Sequence, residues 1–217
     1  KSSDNLYEKP PRRVGKVDST ALHSILFLAA DPNDLVRLHT GAEFREIQDV
    51  LERVRSKNQF DLHPIFAAQV EDISAALLHV RPDIVHFSGH GGENGQLCFE
   101  NQSGETRPIG PDELASIFAH FTNQVKCVVL SACNSEPQAN AIAGHIDYAI
   151  GMRQGISEKS LIAFTRGFYT ALGAGRPFEE AYGMGCNGIR QHSVSEHLIP
   201  VLAKRSEAPS STGLPPS

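Results

Sequence analysis

Long apolar runs, an excess of basic charge, paired cysteines and internal repeats are all missing from this chain. The longest apolar run, residues 25–30, is strand-sized and far short of the roughly 18 to 20 residues of a membrane-spanning helix, so a soluble protein with no membrane partner is expected. Lys and Arg number 20 against 25 Asp and Glu, a formal charge of -5. No overall basic field therefore exists to hold nucleic acid or an anionic membrane surface. The four cysteines, Cys98, Cys127, Cys133 and Cys186, form neither a CxxC pair nor a short-spaced framework. That argues against a secreted, disulfide-stapled fold and for a reducing compartment, the cytoplasm. A signal-peptide core is missing as well: the chain opens at Lys1, and residues 1–17 are polar and broken by Pro10 and Pro11. The expectation is a linker left by cutting a longer protein, with a further domain upstream.

What is present is an ordinary globular composition, 40% hydrophobic and 21% charged, sufficient for one substantial core. The expected organisation is a flexible linker over residues 1–20, a folded domain over 21–203 and a disordered Ser-, Pro- and Gly-rich tail over 204–217. Within the domain, short apolar bursts alternate with segments of helical period, the pattern of an α/β fold with a mainly parallel sheet. Residues 24–30 read as a strand, followed by the Asp-Pro-Asn-Asp turn at 31–34 and a helix with Phe44, Ile47, Leu51 and Val54 on one stripe. A second strand at 61–66 and a helix at 70–80 follow, and then a third strand at 83–88 runs straight into Gly89-His90-Gly91-Gly92. Residues 96–100 and 106–109 suggest a small hairpin, and 111–121 a helix that starts on proline. A near-continuous apolar strand at 125–131 ends in Ser131-Ala132-Cys133-Asn134. Beyond it lie a short helix near 137–143, a strand at 146–152, a long helix capped by Ser157 and stopped by Gly173 and Gly175, and a last helix over 177–191. Residues 198–202 fit an edge strand or a turn.

Functional groups in an open parallel sheet collect beyond the carboxyl ends of its strands. Two loops stand out there: one delivers His90 between glycines, and the other delivers Cys133 directly after a buried run. If their strands are neighbours, about 4.8 Å apart, the loops face one another across a substrate peptide. A thiolate attacks a carbonyl and an imidazole moves the proton, so Cys with His is a minimal acyl-transfer machine that needs no metal or cofactor. The backbone N–H groups of Gly91 and Cys133 are the candidate donors to an oxyanion. Each residue alone has a bland reading, the cysteine as a small hydrophobe and the histidine as a structural residue.

The segments His86-Phe87-Ser88-Gly89-His90-Gly91 and Val128-Val129-Leu130-Ser131-Ala132-Cys133 resemble the paired His-Gly and Ala-Cys motifs of the CHAT domain, a bacterial branch of the caspase, gingipain and separase group of cysteine peptidases. Residues 144–152 and 163–169 resemble that family too, and the resemblance covers about residues 24–191. It implies a caspase-hemoglobinase fold, a three-layer sandwich with helices flanking the sheet, with His90 as base and Cys133 as nucleophile. It also implies an endopeptidase acting on a protein substrate, inside a longer protein governed by a sensor or regulatory domain or an activating partner, in defence or signalling. Some relatives that cut after a basic residue carry Asp where this chain has Ser131, two positions before Cys133. Asp31, Asp34 and Glu158 are the alternative acidic candidates for such a pocket, whereas Arg37 and Arg153 argue for an acidic preference. A basic residue before the cut is the leaning, with a bulky apolar one next, and solvated loop charge is the bland reading of all five.

Other chemistries fit less well. His86 and His90 are four apart but straddle a strand-to-loop break, without the HExxH glutamate of a helical zinc site. The glycine-rich loop lacks both GxGxxG and GxxxxGK[ST], which leaves nucleotide binding little support. Packing accounts for Cys98, Cys127 and Cys186. The Arg12-Arg13 pair reads as linker charge or as a self-cleavage site. The loops at 134–138 and 153–159 are polar and suited to gating. The remaining alternative to a peptidase is a catalytically silent binding module of the same fold.

Overall fold

The computed structural model describes residues 23–54, 60–193 and 195–206. The expected linker, its Arg12-Arg13 pair and residues 207–217 of the expected tail lie outside the described residues.

The first βα units form as the periodicities require. Strand β1 (His23–Ala29) leads through a loop to α1 (Thr40–Arg53), and β2 (Phe60–Phe66) leads to α2 (Val70–Val80). Strand β3 (Ile84–Ser88) is buried along its whole length and passes into the two-residue β4 (His90–Gly91). Strands β5 (Leu97–Glu100) and β6 (Thr106–Ile109) make the hairpin, and α3 (Pro111–Phe118) follows with proline in its first turn. The fully buried β7 (Cys127–Ser131), α4 (Glu136–Ile142) and β8 (Tyr148–Met152) come next. Helix α5 (Glu158–Gly173) is capped by Ser157, whose side chain accepts from the Ser160 N–H at 3.3 Å. Helix α6 (Phe178–Arg190) and strand β9 (Pro200–Lys204) complete the described chain.

Six strands form one sheet in the order β2-β1-β3-β7-β8-β9, and β4, β5 and β6 form a second, small sheet. All pairings in the large sheet are parallel except β8 with β9. Residues 198–202 thus resolve into an antiparallel edge strand displaced by two residues. Strand alternation divides the core into two layers. Leu26, Leu28, Val85, Phe87, Val128 and Leu130 pack with α2, α3 and α4, while Ile25, Phe27, Ile84, Val129 and Ile150 pack with α1, α5 and α6. The fold is the expected three-layer α/β sandwich.

Strands β7 and β8 begin two residues later than their apolar runs. Val125 and Ile146 are fully buried, yet they sit in the turns that enter the strands, where Val125 N and Ile146 N donate to Phe121 O and Ile142 O.

On the α1 and α5 side of the sheet, polar groups replace the core. His86 and Ser88 of β3 and Ser131 of β7 share this face, and Glu43 of α1 reaches into it. The Glu43 carboxylate accepts from Ser88 Oγ at 2.7 Å, Ser131 Oγ at 2.7 Å and Thr165 Oγ1 at 2.6 Å, and it meets His86 Nε2 at 3.1 Å. His86 Nδ1 meets the Tyr169 hydroxyl at 3.0 Å. Burial pushes the Tyr169 phenol well up, so it stays protonated beside Nδ1. The Glu43 carboxylate only accepts, so His86 Nε2 donates to it. Burial opposes charge on Glu43, but the adjoining His86 ring and the hydroxyls of Thr165 and Ser88 outweigh it and hold the carboxyl below its ordinary range. One carboxylate therefore ties α1, β3, β7 and α5 together.

Removing this acceptor leaves buried donors with no partner. Glu43→Ala should cost roughly 3 kcal/mol or more, and the shape-preserving Glu43→Gln less, in urea unfolding at pH 7. Because the folded carboxyl is depressed, its contribution is complete above the unfolded value of about 4.3 and is lost as pH falls through the lower folded value. Melts between neutral pH and pH 3 should show this acid-side slope in the parent and a shallower slope in Glu43→Gln.

Candidate active site

The sheet register brings the two expected site residues together. Ser88 closes β3, Ser131 closes β7, and the two are directly paired. The Gly89 N–H donates to the Ser131 carbonyl at 3.2 Å, prolonging the pairing by one step. His90 and Cys133 each follow two residues after these serines, so they leave neighbouring strands at the carboxyl edge of the sheet. Gly91 lets the backbones close up, since a Cβ there would overlap the Cys133 carbonyl oxygen.

His90 does not lie in a free loop. It forms β4, which turns out of the large sheet and pairs His90 with Cys98 and Gly91 with Leu97 of β5. Gly92 N donates to Gln96 O at 2.8 Å, so by antiparallel alternation Gly91 and Leu97 are a non-hydrogen-bonded pair. The Gly91 N–H thus points away from β5. Among the described residues, the Cys133 N–H has no internal acceptor.

The loop between β1 and α1 covers His90. Its Nε2 lies 2.7 Å from the Val36 carbonyl oxygen. A carbonyl only accepts, so in the neutral ring Nε2 carries the proton and Nδ1 is the basic nitrogen. Cys133 is half-buried, and its thiol approaches the Ile156 carbonyl at 3.9 Å. Burial pushes the thiols of Cys98, Cys127 and Cys186 up.

His90 and Cys133 line one cleft, open to solvent. Its walls include Leu38, Ile156, Leu161 and Ile162, and Glu43 lies at its floor with Ser88 and Ser131. Glu158 lines the more exposed rim, where its two oxygens engage His39 N at 2.7 Å and His39 Nδ1 at 3.1 Å.

Of the candidate pocket residues, Ser131 and Glu158 line this cleft; Asp31, Asp34 and Arg153 do not. Asp31 folds the covering loop on itself, accepting from Leu38 N at 3.1 Å and from Arg37 at 3.0 Å. Asp34 ties that loop to β6 by accepting from the Thr106 N–H and hydroxyl at 2.9 and 2.8 Å, bonds that lower its carboxyl. The two aspartates thus hold the segment that presents the Val36 carbonyl to His90. Arg153 pairs with Glu136 at 3.5 Å, and Asn134 N donates to Gln154 O at 3.5 Å, so the loops at 134–138 and 153–159 are joined.

Val36 and Glu43 were not anticipated. A backbone carbonyl leaves no trace in side-chain patterning. Glu43 did leave one, an acid at the head of the buried series Glu43, Ile47 and Val50 on α1.

Comparison with known proteins fits this geometry. Over 211 residues the chain is 26% identical to a probable protease of Gillisia limnaea, covering 89% of this chain and 37% of the relative. Over 198 residues it is 25% identical to a Roc-COR-CHAT protease of an unknown prokaryotic organism, covering 84% of this chain and 18% of that protein. The chain thus spans well under half the length of either relative. The solved structure of caspase-1 from Spodoptera frugiperda superposes with a TM-score of 0.58 at 14% identity, covering 93% of this chain and 94% of that one. The likeness extends to the fold. The CHAT domain model matches residues 7–183, most of the chain and both strand ends of the cleft, and the protein belongs to the CHAT domain family.

Proposed function

We propose that this domain is a cysteine endopeptidase in which Cys133 is the nucleophile and His90 the base, acting on a protein substrate. The observation that carries the reading is the cleft at the paired ends of β3 and β7. There a half-buried thiol and a histidine whose Nε2 is taken by the Val36 carbonyl, leaving Nδ1 as the basic nitrogen, line the same cleft. In the reaction His90 Nδ1 takes the Cys133 thiol proton as sulfur attacks the scissile carbonyl carbon. The negative oxygen that forms is stabilised by the N–H groups of Gly91 and Cys133, which the backbone leaves without internal partners. His90 then protonates the leaving amine as the C–N bond breaks. Water, deprotonated by the same ring, hydrolyses the thioester and restores the thiol.

The chain's short share of its relatives supports a setting inside a longer protein, and a regulated role in defence or signalling completes the proposal. The four free cysteines accord with a reducing cytoplasm. No helix of the described residues is long and apolar enough to cross a membrane. The joined loops after β7 and β8 are the elements through which a partner would gate the cleft.

Incubation with a pooled peptide library in reducing buffer, read by mass spectrometry, tests the chemistry. Cuts should fall by at least about 10³-fold in Cys133→Ala and in His90→Ala, with both variants folded by circular dichroism. Cuts that persist in folded Cys133→Ala, or their complete absence with and without the flanking domains, would sink the peptidase reading in favour of a binding module. Gly91→Ala should be nearly as damaging as loss of the thiol, because its methyl must displace the Cys133 main chain. An activity within a few-fold of the parent would remove Gly91 from the oxyanion site.

A further inference from the structure

The floor of the cleft is built only of hydrogen-bond acceptors. The hydroxyl hydrogens of Ser88 and Ser131 both point to Glu43, and so does that of Thr165 behind them. Glu43 Oε1 is filled by three donors, whereas Oε2 takes only Ser88 and keeps a lone pair. The lone pairs of Ser88 Oγ are likewise unspent. A group entering this floor meets a carboxylate and hydroxyl oxygens whose protons already point elsewhere. Such a surface rewards a group that only donates and repels one that brings its own lone pairs.

Charge and shape select the same kind of occupant. Among the described residues no Lys or Arg lines the cleft; Arg37 pairs with Asp31 and Arg153 with Glu136, both outside it. The walls above the floor are Leu38, Ile156, Leu161 and Ile162. An apolar shaft with a carboxylate at its end suits a side chain with a methylene stem and a cationic head. His86 reaches only Glu43 Oε1, through Nε2, and leaves Oε2 to Ser88.

We infer that Glu43 is the specificity-determining residue of the cleft, and that the residue before the cut is lysine or arginine, whose head group bonds to Glu43 Oε2 and the Ser88 hydroxyl oxygen. Asp31 and Asp34 take no part in this recognition, and Glu158 stands at the rim, already engaged by His39. The inference rests on the peptidase reading for its meaning in catalysis, but the pocket chemistry is testable without turnover.

Two arms separate the readings. In the first, the whole chain is treated with acyloxymethyl ketone peptides that differ only beside the warhead, as arginine, citrulline, lysine, norleucine or aspartate, and adducts are measured by intact mass. The Cys133 sulfur displaces the carboxylate leaving group and forms a thioether, so labelling that vanishes in Cys133→Ala reports the nucleophile. Arginine should outpace citrulline, and lysine norleucine, by about 30-fold or more. Both ratios should shrink to a few-fold in Glu43→Gln, each ratio being taken within that variant so that a general loss of reactivity cancels. In the second arm, butylguanidinium and the isosteric butylurea are titrated into Cys133→Ala protein and followed by methyl NMR of Leu161 and Ile162. Saturable shifts are expected with the cation alone, and they should be lost when Glu43→Gln is added.

Cys133-dependent labelling with equal arginine and citrulline rates, or a faster aspartate probe, overturns the inference and leaves the peptidase standing. No labelling combined with selective guanidinium binding overturns the peptidase and keeps the cationic pocket. Equal binding of guanidinium and urea overturns the pocket whatever the labelling shows. The arginine-to-citrulline comparison uses the parent chain, so it decides the matter even where Glu43→Gln unfolds.

Discussion

A single buried carboxylate organises the working end of this molecule. Glu43 is 4% exposed, and its oxygens receive groups from three other elements, β3, β7 and α5. An unpaired charge in such a place would be strongly destabilising, and here every approach to it is a hydrogen bond. The consequence is geometric. Ser88 and Ser131 are bound to the same carboxylate, and each lies two residues before a residue of the cleft. The ladder sets the strands side by side; Glu43 fixes how far each reaches toward α1 and α5. A nucleophile and a base drawn from different strands need a common reference of this kind, because an ångström of relative slip is enough to spoil proton transfer.

A second constraint operates above the sheet. The loop from β1 to α1 crosses His90 and bonds it through a main-chain carbonyl. Asp31 and Asp34 hold that loop, one by bonding within it and the other by tying it to the small sheet. The small sheet in turn contains His90 itself, through β4. His90, the covering loop and the hairpin therefore form one closed circuit above the Glu43 network. Cys133 belongs to neither; it is held by the backbone of Gly91 on one side and the Ile156 carbonyl on the other. The thiol thus sits where two rigid units meet a pair of joined loops, which is the natural place for a partner to act.

Much of this was legible in the sequence because it rests on local pattern. The buried runs of β3 and β7, the glycines around His90 and the Ser157 cap all announce themselves through neighbours in the chain. The strand starts at 127 and 148 were less legible, because Val125 and Ile146 are as apolar and buried as the residues that pair. Burial is visible in composition, whereas pairing is not. Strand β9 depends on β8, distant in sequence, for its direction as well as its register. The roles of Asp31 and Asp34 were illegible for the same reason: an acid in a loop reads as charge until its partner, Thr106 or Leu38, is known. Glu43 sat on an apolar stripe, where its charge was the anomaly to follow, yet a stripe search counts the apolar members and passes over the exception.

The coupling of support and selection in one residue has a consequence for how this cleft can change. The serine and threonine hydroxyls point to Glu43 because an acceptor lies there, and Ser88 leaves its lone pairs toward the cleft for the same reason. A neutral or cationic side chain at position 43 would strand those hydroxyls or force them to turn, and a turned hydroxyl offers its proton to the cleft instead of its lone pair. Preference for a different side chain therefore cannot be reached by altering Glu43 alone. It requires Ser88, Ser131 and Thr165 to change with it, in four elements at once, while the spacing of β3 and β7 is kept. The network that holds the cleft in shape also holds its selectivity in place.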